Sequence, residues 1–325
     1  MALSSLVAFG VVFVGASLVL SVLFNLVLLA CTPALRRLGP WVERRAAASA
    51  IILPPVIAIG LVAVLAVGSA LAILRGSDHC LDHSHHLHLC LKHGMAWASR
   101  PWALCLVISL ATFVAVRSAL SAWAHWGAQR AAARLRAVGA PIDQTGCYLV
   151  PSQERFAFTA GLLSPTVVVS SAAWHALDSD ERDAVLAHEL AHVAHGDLRL
   201  RAILGLAAAL GFPFLVNRTL RLWELSAERI CDRRAALAVQ RPSTVASAML
   251  ALVRAAPPKL APEGAIFAAA CHVPERVESV LREEPDGERP SRRLMAATVL
   301  AAVAVTATCG LFSEPIHHIL ETILG

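Results

Sequence analysis

The chain has 325 residues, 57% of them hydrophobic and only 16% charged, with a mean hydropathy of +0.63 and a formal net charge of +5. Soluble domains carry roughly 45–50% apolar and about 25% charged residues, and here the apolar excess lies in long charge-free runs, so the composition points to a membrane protein rather than a purely soluble domain. The basic residues cluster beside long apolar runs, where membrane topology accounts for them without a direct nucleic-acid partner.

Residues 2–35 carry no charge, which exceeds the roughly 17–25 apolar residues that a span requires. The run lacks a basic start and is too long for the core of a secretory signal, so it reads as a retained span. Arg36, Arg37, Arg44 and Arg45 precede a second charge-free run at 46–74. Residues 75–100 then form a His/Cys-rich connection containing His79, Cys80, His83, His85, His86, His88, Cys90 and His93. The third run, 101–116, reaches span length if its helix continues past Arg117 toward Trp126 with the arginine snorkelling to the interface. Trp41, Trp97, Trp102, Trp123 and Trp126 lie near the run ends, as an aromatic belt would place them.

Residues 127–293 alone have globular composition. The stretches 146–152 and 166–171 are short β-branched runs bounded by Gly, Pro or Ser and read as strands, with a turn or hairpin at 157–165 between them. Residues 178–197 read as a helix, capped by Asp178 or Ser179 and ended by Gly196 and Asp197. An apolar stretch at 202–217 follows, broken by Gly211 and Pro213. Helical pattern resumes at 218–239 and again at 243–256, while 257–265 and 283–293 read as linkers. A fourth charge-free run covers 294–313.

Within the first of these helices stands His188-Glu189-Leu190-Ala191-His192. Residues four apart share a helix face, so both imidazoles can reach one Zn²⁺. Glu189, beside the ion, can take a proton from an activated water and pass it to the leaving amine. His195 is on the same face one turn later, but three histidines on one straight helix converge poorly on a single ion. The extended metzincin pattern also fails, because His195 and Leu198 stand where it needs Gly and His. The alternative third ligand is a carboxylate from a second helix: Glu228, with Glu224 its nearest competitor. Asp232, one turn beyond Glu228, could fix a ligand histidine's tautomer. If 202–217 crossed the membrane once, His188 and Glu228 would lie on opposite sides. The stretch is therefore a hairpin dipping into the bilayer or a core or interfacial element.

The run from Ala157 to Asp197, with the later Glu228-Arg229-Ile230-Cys231-Asp232, resembles the BlaR/MecR family of integral-membrane zinc metallopeptidases. It is also similar to the related HtpX and CAAX-prenyl-protease gluzincins. The resemblance covers roughly residues 127–281 and the four-span layout. It implies zinc ligands His188, His192 and Glu228, base Glu189 and supporting Asp232. Cys231 reads as a small buried side chain and Asp197 as structural. His195 and arginines near Glu228 are candidates for stabilising the oxyanion. The sequence ends a dozen residues after Ser313, leaving no room for the penicillin-binding sensor domain of BlaR/MecR proteins, so β-lactam sensing is not implied.

The expected architecture is a mainly α polytopic membrane protein of about four spans. Residues 1–126 hold three spans and the His/Cys-rich loop, 127–293 a cytoplasmic α+β gluzincin-like zinc peptidase domain, and 294–325 the last span and a short tail. Arginines flanking the spans place both termini and the loop outside a bacterial inner or cell membrane and the active site in the cytoplasm. The loop reads as a possible second, extracytoplasmic metal site at His79, Cys80, His83, His85, His86, His88, Cys90 and His93, with a Cys80–Cys90 disulfide or adventitious binding as alternatives. The expected activity is zinc-dependent cleavage of a protein substrate such as a cytoplasmic repressor. HtpX-like quality control of membrane proteins, or a non-enzymatic metal-responsive sensor, are the alternatives.

Overall fold

A computed structural model of the chain describes residues 2–74, 98, 100–142, 146–253, 266–267 and 272–282. The His/Cys-rich residues His79 to His93, both linkers, the fourth apolar run and the tail lie outside the described residues or almost wholly so. Among the described residues, three helices are long and apolar enough to cross a membrane. These are α1 (Ala2–Arg37), α2 (Pro40–Leu74) and α3 (Pro101–Val138). They make the chain an integral membrane protein.

Helix α3 does continue past Arg117, and it runs unbroken through residues 126 and 127 to Val138. Its far end buries Ala132 against one face of a sheet, so one helix is both span and domain element. Strands β1 (Ala140–Pro141), β2 (Cys147–Val150), β3 (Ala157–Ala160), β4 (Thr166–Ser170) and β5 (Ile266–Phe267) form that sheet in the order β1-β2-β4-β3-β5. Among the described residues, only the β2–β4 pair is parallel. Side chains alternate across it: Val168 and Phe158 face α3, whereas Val167, Val169 and Ala157 face the opposite helical layer. The 157–165 stretch is thus half strand and half turn, turning at Gly161 with φ +99°.

The helical layer comprises α4 (Ser171–Ala176), α5 (Ser179–His195), α6 (Asp197–Ala208), α7 (Pro213–Val239), α8 (Pro242–Val253) and α9 (Val273–Leu281). Asp178 caps α5 in a reciprocal capping box with Glu181. Gly196, at φ 68°, ends α5 in the left-handed conformation and starts α6 at once.

Helices α6 and α7 resolve the 202–217 stretch as a hairpin lying along the spans. Leu204, Ala208, Val216 and Trp223 pack with Leu28 of α1 and Ala50 and Ile51 of α2. The turn at Gly211 abuts Ser21 of α1, 16 residues before Arg37, or about 24 Å along the helix. Both outer ends of the hairpin return to the first turn of α2, through Arg44 to Asp197 and Glu43 to Arg229. His188 and Glu228 therefore stay on one side.

Several buried polar groups within this layer find partners, as an apolar medium favours. Pro54 has no N–H for the Ala50 carbonyl, and Asn25 Nδ2 donates to that oxygen at 3.3 Å and to Ser21 O at 2.7 Å. Thr219 of α7 donates to Asn25 Oδ1. Arg117, expected at the interface, donates to the turn carbonyls of Ala209 (3.2 Å) and Gly211 (3.0 Å). A broken hairpin leaves carbonyls that water would otherwise satisfy, and Arg117 supplies the donor.

Candidate metal centre

Helix α5 buries His188, Glu189 and His192 because its apolar stripe, including Val185, faces the sheet and α7. Helix α7 brings Glu228 opposite them. His188 Nε2 lies 3.2 Å from His192 Nε2. Glu228 oxygens lie 3.4 Å from the first nitrogen and 3.5 Å from the second. A tetrahedron with ligand atoms about 2.0–2.1 Å from its centre has edges of about 3.3–3.4 Å, so the two nitrogens are already at ligand spacing, and the carboxylate faces His188 through Oε2 and His192 through Oε1. Together they form a group able to hold a metal ion.

The outer ring nitrogens fix the tautomers. His188 Nδ1 faces Asp232 Oδ1 at 2.9 Å and His192 Nδ1 faces Asp197 Oδ2 at 2.7 Å. Each carboxylate holds the proton on Nδ1, leaving the Nε2 lone pairs pointing inward toward Glu228. An inward-facing set made only of acceptors fits a cation. Burial acts to lower both imidazole pKa values, yet Asp232 and Glu228 raise His188, and Cys231, Glu228 and Asp197 raise His192. Burial would raise the Glu228 carboxyl, but Arg276 and the two imidazoles hold it well below the usual carboxylate range.

Glu189 is fully buried, and its Oε2 accepts from Thr159 Oγ1 of β3 at 2.6 Å. Its Oε1 has no hydrogen-bond partner among the described residues. Burial raises its pKa, against the opposing pull of His188, His192 and the Thr159 hydroxyl.

The structure brings together His188, Glu189, His192, Glu228 and Asp232. It sets Glu224 aside, paired with Arg201 at 2.6 Å, and turns His195 toward the edge of Trp41. Trp41 thus packs at the site as well as near a span end. Arg229, one candidate for the oxyanion, is engaged by Glu43 and Ser279. Asp197 does more than the structural role expected of it, since it orients His192. Arg276 of α9 carried no local signal. It donates to Asp232 through Nε (2.7 Å) and Nη2 (2.5 Å), and its Nη1 lies 2.9 Å from Glu228.

A second possible metal group, His192, Asp197 and Cys231, shares one histidine with the first. Its His192 atom is the proton-bearing Nδ1, and burial pushes the Cys231 thiol up to about 12. Asp197 holds that Nδ1 proton at 2.7 Å, whereas both Nε2 atoms face Glu228, so the His188–His192–Glu228 group is the better cation site. The His/Cys-rich loop lies outside the described residues.

The sequence profile described as Peptidase family M48 matches residues 119–222. The chain is similar to Protease HtpX of Aeromonas hydrophila subsp. hydrophila, 38% identical over 74 residues, covering 23% of this chain and 26% of the relative. It is also similar to Protease HtpX of Tolumonas auensis (38% over 82 residues; 25% and 27%) and of Stenotrophomonas maltophilia strain K279a (38% over 69 residues; 21% and 24%). These matches span about a quarter of the curated relatives' length. They make residues 119–222 similar to M48 peptidases and part of the chain similar to HtpX proteases, and they do not single out BlaR/MecR proteins.

Proposed function

We propose that the protein is a membrane-embedded zinc endopeptidase whose active centre sits at the end of the spans where α1 meets α2. The observation that carries this reading is the inward-facing set of His188, His192 and Glu228 atoms, 3.2–3.5 Å apart, with Glu189 beside it. Zinc held there would supply Lewis-acid polarisation of the scissile carbonyl and acidify a water. Glu189 Oε1 accepts the water's proton and returns it to the leaving amine, while Thr159 keeps the other carboxylate oxygen in place. Asp232 and Asp197 keep both imidazoles as inward-facing acceptors.

The cytoplasmic side is the proposed location, supported by Arg36, Arg37, Arg45, Arg130, Arg134 and Arg136 flanking the spans at that end. The substrates proposed are proteins presented at the membrane, favoured by the likeness to HtpX proteases and by the hairpin that roots the site in the bilayer. Cleavage of a cytoplasmic repressor rests on the BlaR/MecR resemblance alone. The full-length protein in lipid nanodiscs is expected to cleave an unstructured polypeptide, to stop on chelation and to resume when zinc is returned. Cleavage indifferent to chelation would count against the proposal.

Glu189 must be ionised to accept a proton, and the Thr159 hydrogen bond favours the ionised form. Thr159→Val therefore raises the Glu189 pKa further. The acid limb of the kcat/KM profile is expected to move to higher pH; an unmoved or lowered limb would contradict the assignment of Glu189 as base.

A further inference from the structure

Two charged side chains on the first turn of α2 are wholly inside the protein, at the point where a membrane helix meets the metal centre. Glu43 is 0% and Arg44 5% exposed. Arg44 pairs with Asp197, whose other oxygen holds His192 Nδ1. Its guanidinium also lies 5.4 Å from the Trp41 ring and 5.5 Å from the Trp223 ring, which confine it from α2 and from α7. Glu43 takes Ser226 Oγ at 3.1 Å and Arg229 Nη1 at 3.0 Å on its Oε2. Ser226 and Arg229 bracket Glu228 on α7. Arg36, at the end of α1, reaches Glu43 Oε1 at 3.4 Å.

Buried ion pairs add little net stability over well-packed apolar side chains, because desolvation offsets their attraction. What they supply is a fixed geometry. Here neighbouring residues on one helix reach the two elements whose separation sets the ligand spacing, α6 with α5 on one side and α7 on the other.

We propose that Glu43 and Arg44 are positioning residues for the metal centre, through which the second membrane helix holds His192 and Glu228 at ligand spacing. Arg44 acts on His192 through Asp197, and Glu43 acts on Glu228 through its neighbours Ser226 and Arg229. The inference rests on the zinc site proposed above. It makes the spans part of the active centre rather than a mere anchor. The same helix ends at Leu74, immediately before the His/Cys-rich stretch.

The test uses metal-free, full-length protein and zinc competition against a chromophoric chelator, scoring the binding component that His188→Ala removes. Arg44→Gln and Asp197→Asn are each expected to weaken that component about 10–100-fold, the usual consequence of losing a partner of a ligand histidine. The double variant, whose neutral side chains can still pair, is expected to be no weaker than the worse single, because the two act in series. Glu43→Gln is expected to weaken it several-fold, and Arg44→Lys to recover part of the Arg44→Gln loss. A Co²⁺ absorption spectrum, altered in Arg44→Gln and restored toward wild type in Arg44→Lys, separates positioning from a general loss of fold. Unchanged affinity in Arg44→Gln and Glu43→Gln, or losses that multiply in the double variant, overturn the inference alone. A wild-type protein with no zinc component dependent on His188 overturns it together with the zinc-site reading.

Discussion

Glu189→Gln is expected to lower peptide hydrolysis by about 10²–10⁴-fold, the usual contribution of a positioned acid–base group, while leaving bound zinc at the wild-type level. The substitution preserves shape and can keep the contact with Thr159, so it removes little besides the ability to accept a proton. Glu189 belongs to neither possible metal-binding group, and the metal should therefore remain. Glu228→Gln makes the contrast, since its oxygens face both inward imidazole nitrogens and its loss should empty the site. Measuring zinc content and cleavage rate on the same samples separates the two roles. Wild-type hydrolysis by Glu189→Gln would remove Glu189 from the chemistry.

Arg276→Met is expected to destabilise the metal-free protein by about 3–5 kcal/mol, the cost of breaking a buried ion pair by deleting one partner. Arg276 is fully buried and is the cation shared by Glu228 and Asp232, themselves almost entirely buried. Without it, two neighbouring carboxylates face each other with only the imidazoles to compensate. Thermal unfolding in detergent reads the loss. Added zinc should restore more stability to the variant than to the wild type, because the ion replaces part of the missing positive charge. A loss below about 1 kcal/mol, outside the range for such a pair, would show that Arg276 does not balance this site.

The parts of the fold written in local pattern were legible in the sequence. The three described spans follow from charge-free length, the strands β2 and β4 from β-branched runs, and α5 from its cap, its periodicity and Gly196. The two histidines could be placed on one face because four-residue spacing dictates it, and Glu189, next to His188, could be placed beside the ion. Glu228, with Glu224 as its competitor, and Asp232 were candidates from a second helix that the resemblance then favoured, and the geometry brought both Glu228 and Asp232 into the cluster. What escaped the sequence was long-range. Arg276 lies 44 residues beyond Asp232, past a linker, and one arginine on a short amphipathic helix looks like any other. Asp197 owes its role to the left-handed turn at Gly196, which aims it back at His192. Arg44 looked like an ordinary charge flanking a span, because an arginine that sets topology and one that holds a buried carboxylate are the same letter, and Glu43 carried no local signal. For Arg117, too, the sequence carried no sign of its bonds to the α6–α7 turn.

The most direct measurement is X-ray absorption at the zinc edge of full-length protein in which the histidines and cysteines between His79 and His93 are replaced by serine, leaving the buried site to take the metal. The account predicts two imidazole nitrogens at about 2.0–2.1 Å, carboxylate and water oxygens at about 2.0–2.2 Å, and no sulfur. A sulfur neighbour at about 2.3 Å would place the ion on Cys231 and contradict a centre built from His188, His192 and Glu228.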